Sequence, residues 1–474
     1  MMDLLYIALT AVVVGLCLKG PRWGVPAVAA ILPMSVRLPN PPIPLLNMQN
    51  LLLVAAMSSL AFGGKREGRT GSVRFVIPLA LFILVITLSY INTRLTFVPV
   101  RYFMQWNPYE LLLAYKTILC CVLLYVLGCI VPRSVQDVKA VATGILAGII
   151  AEISFICMEV FMRGPARANG HLQESNNAGA WSSWALMVCV ALFLVVGWRN
   201  RMGKICLATA GASVFALLFT MSRGNWMAAV VAGGVLTLVR DRRALILLVL
   251  GLFAAPFWVP QKVQSRIDET FVSAEDQAWR FRIREGTNAS EGITSLQEKW
   301  LGSSDGTGRR LDGSSQIRLF VWQAGMQMIR DYPMGVGFGV FSFYLGQYSD
   351  IVKFKAAHNT YLLLAAENGL VTLLLFLLLL GLLCWESWMV YWTVRDPFLS
   401  GLGLAAFAST ISMVVSAFFY NFWFMVEING QQWVLLGLMT QVRRIAAQTQ
   451  EVPAAVAVQA PVSSEPVPLY KLVT

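Results

Sequence analysis

The sequence predicts an all-α polytopic integral membrane protein of about 12–14 transmembrane helices, with one large extracytoplasmic loop domain containing amphipathic helices. Three observations predict it. The 474 residues are 57% hydrophobic and 13% charged, where a soluble domain carries about a quarter charged residues. Apolar runs of spanning length, about 20 residues each, recur from end to end. A single long polar segment interrupts them, at 260–358. A β-barrel is excluded, because its strands alternate apolar and polar residues over about 10 positions.

The elements follow in order. The opening "MMDLLYIALTAVVVGLCLKG" lacks a basic n-region and a small-residue cleavage site. It reads as a first span and not as a cleavable signal peptide. Spans are expected near 3–18, 23–36, 46–63, 74–92, 110–131, 138–160, 179–197, 204–221, 225–239, 243–259, 359–384, 398–424 and 430–442. The second is short, and the Pro-rich "LPNPPIPLL" that follows suggests a broken or re-entrant segment. The organisation is then 1–259 as N-terminal spans, 260–358 as the loop domain, 359–446 as C-terminal spans and 447–474 as a disordered cytoplasmic tail.

Orientation comes from lysine and arginine in the short loops. With the C-terminus inside, inner loops hold Lys19, Arg22, Lys65, Arg66, Arg69, Arg74, Arg133, Lys139, Arg199, Arg201, Lys204, Arg240, Arg242, Arg243, Arg395, Arg443 and Arg444. Outer short loops hold only Arg37, Arg94, Arg101, Arg163, Arg167 and Arg223. One register satisfies the positive-inside rule throughout and puts 260–358 outside. The net charge of +12 is thereby a matter of topology, with membrane lipids as partners and no nucleic acid. The eight cysteines fall in or beside apolar runs, so no disulfide framework is implied.

Within the loop domain, Ile317, Phe320, Val321, Ala324 and Met328 recur at helical spacing, and Pro333 stops that helix. An amphipathic helix lying against the outer face is expected. The first half of the segment reads as polar loop.

The outer face gathers the unusual residues. Arg223 sits in a tight Ser-Arg-Gly break between two spans. A guanidinium held there can snorkel into headgroups or grip a phosphate through its planar fork. Arg318 lies at the edge of the amphipathic helix, with Trp322 one turn on. His358, one of two histidines in the chain, precedes Asn359 and an apolar helix. Either residue can cap that helix, and the imidazole also suits a general base at neutral pH. "RGPARANGHLQESNNAGAW" brings Arg163, Arg167, Asn169, Asn176 and Asn177 to a span entry, where amides serve as caps or read sugar hydroxyls. Arg94 and Arg101, with Glu110 at a helix start, can face the same outer cavity. "PMGVGFG" carries glycines at 335, 337 and 339. No strand-turn-helix unit surrounds them, so this is not a dinucleotide fingerprint. Gly337 there either lets backbone approach a ligand or makes a turn.

In this order and context, the pieces resemble the O-antigen ligase and O-antigen polymerase superfamily over roughly 160–440. "TMSRGNW" resembles its Ser-Arg-Gly turn. "IRLFVWQAGMQMIRDYPMGVGFGVF" resembles its Arg-then-Trp helix with the Pro and Gly-x-Gly segment. "AAHNTYLLLAAENGL" resembles its His-Asn junction, and "RANGHLQESNNAGAW" its upstream loop. The resemblance implies a glycosyltransferase of the bacterial inner membrane with its active site facing the periplasm. It would move a glycan from a polyprenyl (undecaprenyl) diphosphate carrier to a hydroxyl of a glycan or lipid-linked sugar acceptor, as O-antigen or exopolysaccharide polymerase or O-antigen ligase. Arg223 and Arg318 would bind the diphosphate, and His358 would deprotonate the acceptor. Arg167, Asn169, Asn176, Asn177, Arg94, Arg101, Asn359 and Gly337 are further candidates for substrate contact. No acidic pair or His/Asp cluster on the outer loops offers a site for Mg²⁺. No cofactor and no metal are therefore expected, and a single displacement predicts inversion at the anomeric carbon. The alternative is a secondary transporter or glycan flippase, with the intramembrane Lys116, Glu152 and Glu159 along a translocation path.

Overall fold

In a bilayer each backbone N–H and C=O must find its partner inside the protein, so long apolar runs become helices. The computed structural model describes residues 2–38, 48–62, 73–97, 107–164, 167–268, 271–273, 309–311, 313–349, 352 and 354–456. Its helices are α1 (Met2–Leu18), α2 (Pro21–Ile31), α3 (Met48–Phe62), α4 (Val76–Thr96), α5 (Pro108–Ile130), α6 (Val135–Arg163), α7 (Ser175–Val196), α8 (Arg201–Phe219), α9 (Arg223–Arg240), α10 (Arg242–Phe253), α11 (Ala255–Trp258) and α12 (Gln261–Asp268). They continue as α13 (Gly313–Asp331), α14 (Phe341–Tyr348), α15 (Thr360–Asn368), α16 (Leu370–Thr393), α17 (Pro397–Ser416) and α18 (Val426–Val456). Every expected span falls on helix. Among the described residues, seven helices are long and apolar enough to cross a membrane, namely α4 to α8, α16 and α17. The protein is a polytopic helical membrane protein.

The second expected span is broken: α2 ends at Ile31 and a 3-10 helix, Leu32–Arg37, follows with Pro33 in its first turn. Helix α7 packs mainly between α17 and α8, and α18 lies along α5. Trp181, Trp184, Trp423 and Trp433 fill this core. Gln432 is paired within this core: its Oε1 accepts from Trp184 Nε1 at 2.5 Å and from Ser409 Oγ at 2.9 Å. Arg22, Arg74, Lys139 and Arg443, all assigned to inner loops, pair with Asp137, Glu386 and Asp396.

The expected single span 359–384 is two helices. α15 ends at Gly369, whose φ of +86° is left-handed, and α16 starts afresh. The break receives the glycine segment of the loop domain. Val336 N donates to Ala366 O, Gly337 N to Glu367 O (both 2.9 Å) and Leu370 N to Pro333 O at 3.0 Å. A Cβ at Gly369 would stand 2.7 Å from the Met334 backbone. Gly369→Ala is expected to cost at least about 1–2 kcal/mol from backbone handedness alone, read as a lowered Tm of the detergent-solubilised protein.

The span expected to reach 424 ends at Ser416, and the chain turns through 417–425 before α18. α18 runs on to Val456, past the expected tail boundary at 447. The rest of the tail, the first half of the polar loop (274–308) and Arg101 lie outside the described residues.

The amphipathic helix of the loop domain is α13, and it stops at Asp331 before Pro333 as expected. Val321, Ala324 and Met328 on α13 pack with Leu345 of α14 and Leu362, Ala365 and Ala366 of α15, a small core separate from the membrane one. Sequence reading gave no strands, yet 271–273 pairs antiparallel with 309–311, Val272 opposite Arg310. α12 thus leads into a short ribbon whose return strand leads to α13.

Candidate active site

The break between α8 and α9 places Arg223 at the first position of α9, behind Ser222. Asn176, the second residue of α7, reaches across to it. Its Oδ1 accepts from Ser222 Oγ at 3.0 Å, and its carbonyl accepts from Asn225 Nδ2 at 2.8 Å. Arg167 is fixed to the same junction, Nε donating to Thr220 O at 3.3 Å and Nη2 to Asn176 Oδ1 at 3.4 Å. The result is a cavity of about 90 Å³ lined by Arg167, Asn176, Ser222, Arg223, Asn225, Arg266, Arg318 and Tyr420 among others. Four guanidiniums from four separate segments meet there. Burial and the neighbouring Arg266, Arg223 and Arg318 pull the Arg167 pKa down, with Glu174 opposing. Cations crowded by the fold in this way are relieved when an anion enters.

His358 approaches from the other side. Trp322 of α13 donates its indole N–H to Ala357 O at 3.1 Å. Asn359 caps α15, its Oδ1 accepting from Tyr361 N and Leu362 N at 3.0 Å each. Thr360 binds the α17–α18 turn through N to Ala417 O and Oγ1 to Tyr420 O, both 2.9 Å. Between these anchors His358 is held at φ +47°, a left-handed conformation uncommon for a residue other than glycine. Its ring lies 5.3 Å from that of Tyr420, which lines the arginine cavity. The Tyr420 phenol donates to Glu174, and burial with that carboxylate raises its pKa. Burial and the Arg318 charge lower the His358 pKa, as does Lys355, while Glu174 works the other way. A lowered pKa favours the neutral imidazole, the form that can accept a proton.

The other candidates fall into two groups. Asn169 stands behind the cavity wall: its N–H donates to Glu159 at 3.1 Å and its Oδ1 accepts from Ser175 at 2.7 Å. Asn359 is the α15 cap just described. Gly337 packs on α4, where a Cβ would meet Thr93 Oγ1 at 2.4 Å. Asn177 is buried and Arg94 is exposed in the last turn of α4; neither lines the cavity. Glu110 is exposed in the first turn of α5.

Of the intramembrane carboxylates, Glu152 accepts from His171 N at 2.9 Å and meets its Nδ1 at 2.5 Å, with Tyr6 Oη 2.8 Å from Nε2. Glu159 accepts from Gly170 N at 2.7 Å and pairs with Arg163. Both bolt the 167–177 loop onto α6. Sequence reading missed Arg266 and Tyr420. Arg266 carried no motif, only a place on a short polar helix. Tyr420 was hidden at the end of an apolar run.

A family model described as O-antigen ligase matches residues 207–377. That stretch holds Arg223, Arg266, Arg318, Gly337, His358 and Asn359, while Arg167, Asn176 and Tyr420 lie outside it. Comparison with curated proteins gives no significant match. The match covers 207–377; with the motifs in their order along a polytopic helical chain, it makes this stretch similar to the O-antigen ligase family and supports a glycosyltransferase-type function in the cell envelope.

Proposed function

We propose that the arginine cavity takes the diphosphate of a polyprenyl-linked glycan, and that His358 drives transfer of that glycan to an acceptor hydroxyl on the periplasmic face of the bacterial inner membrane. The observation that carries this reading is the convergence of Arg167, Arg223, Arg266 and Arg318 beside Tyr420, with His358 against that tyrosine's ring. Guanidinium forks match phosphate oxygens bidentately. His358 takes the acceptor's proton while its oxygen attacks the anomeric carbon. The bond from that carbon to the phosphate oxygen breaks, and the diphosphate leaves with the electron pair. Its growing charge falls among the guanidiniums, where compensation is largest in a dry site. A single displacement of this kind inverts the anomeric configuration.

The engagement of Glu152 and Glu159 by the 167–177 loop supports a transferase over a transporter, because those groups serve to hold the cavity wall. The test uses the purified protein in proteoliposomes with a polyprenyl-diphosphate oligosaccharide. Products are separated by size and by attached acceptor. A ladder marks a polymerase and a single addition a ligase. No transfer to any glycan or lipid-linked acceptor overturns the reading. With arginines supplying the charge, EDTA is expected to leave the rate within about twofold of the untreated sample. Abolition by EDTA and rescue by Mg²⁺ would contradict the metal-free mechanism.

A further inference from the structure

Beside the four guanidiniums of the arginine cavity stands an acid, Glu174. A carboxylate next to a phosphate site repels the ligand. Yet among the described residues Glu174 is the one carboxylate whose charge is felt at Arg167, His358 and Tyr420 alike. It is exposed, at the N-cap of α7. The helix dipole favours a carboxylate there, but the Glu174 side chain makes no cap bond. It turns instead to two side chains of the site. Oε2 accepts from the Tyr420 phenol, and Oε1 accepts from Asn176 Nδ2 at 3.2 Å.

Those two bonds decide where the negative charge sits. Asn176 is shared: its Nδ2 donates to Glu174 while its Oδ1 accepts from Arg167 Nη2 at 3.4 Å. Carboxylate and guanidinium are thus one amide apart, and among the described residues no ion pair joins them. A direct pair would be the stronger contact, because a carboxylate meets the guanidinium fork through two parallel N–H···O bonds. A phosphate uses the same fork. A Glu174 side chain free to turn would therefore compete with the ligand for Arg167. Tyr420 lines the cavity, yet its one O–H is given to Glu174. Tyr420 is itself held, its carbonyl accepting from Thr360 Oγ1 at 2.9 Å and its ring lying against His358. The phenol that fixes Glu174 is thereby anchored to the junction that carries the imidazole.

We propose that Tyr420 is a positioning residue which, with Asn176, holds the Glu174 carboxylate off Arg167 and so keeps the arginine cavity open to a phosphate ligand. The inference rests on the reading of that cavity as an anion site. The test is calorimetric titration of inorganic pyrophosphate into the full-length protein in nanodiscs. Tyr420→Phe keeps the ring beside His358 and the carbonyl that takes Thr360 Oγ1, and thermal melting checks the fold. It should weaken binding about tenfold, the worth of one hydrogen bond to a charged group. Adding Glu174→Gln to it should restore affinity to within about twofold of the wild type, because the amide has no charge with which to compete. A packing defect at residue 420 would not be repaired by a change at residue 174, so the rescue separates restraint from mere support. Unchanged binding in Tyr420→Phe overturns the proposal. A loss that Glu174→Gln leaves in place overturns it too, and makes the phenol a direct contact of the anion or a support of the fold. Absence of wild-type binding, or binding that Arg223→Gln leaves intact, overturns the anion reading of the cavity itself and the restraint with it.

Discussion

Arg318→Lys and Arg223→Lys are each expected to lower kcat by about 10²–10³-fold, the cost of removing one well-placed donor to a developing anion. Lysine keeps the charge in both, so a simple electrostatic attraction would survive. What it loses is the planar pair of N–H groups that meets two phosphate oxygens at once. Arg223 is fixed by the α8–α9 junction and Arg318 by α13, which Trp322 anchors at Ala357 O. Neither backbone has freedom to bring an ammonium to the missing position. The measurement is single-turnover transfer at saturating donor, with folding checked by gel filtration and thermal melting. Full activity in either lysine variant removes bidentate contact at that residue.

His358→Ala is expected to cost about 10²–10⁴-fold, the usual span for a general base, and the pH profile carries the finer information. The neutral imidazole is the active form, so transfer falls as pH drops through its pKa. Burial and Arg318 depress that pKa, so the acid limb of kcat/KM should lie below the unperturbed value of about 6.5. In Arg318→Gln the depressing charge is gone, and the limb of the residual activity should move to higher pH. In Glu174→Gln the opposing carboxylate is gone, and it should move lower. A limb that stays put in both variants would falsify the assignment of His358 as the titrating base.

Much of this was legible beforehand because it rests on local rules. The span positions follow from apolar run length. Arg318 and Trp322 lie four apart on one helix, and Pro333 ended that helix where it should. The Asn359 cap follows from a short polar side chain in front of an apolar helix. What escaped the sequence was tertiary. The run from 359 to 384 is apolar throughout, and only the packing of Pro333–Gly339 into Gly369 shows that it is two helices. Gly337 was read as a ligand approach or a turn, and its close packing on Thr93 of α4 is a tertiary contact that no local pattern shows. Arg266 became part of the cavity because α12 folds back to the α8–α9 junction, and no spacing in the sequence encodes that return.

The left-handed backbone at residue 358 has an evolutionary side. Glycine is the residue that conformation favours, and strain of this kind is kept where a site demands it. A glycine at 358 would relax the chain while removing the imidazole. Random variation selected for expression alone would therefore drift toward silent, better-folded protein. Under the proposed mechanism, retaining histidine at this point is something that selection on activity, and not on folding, enforces.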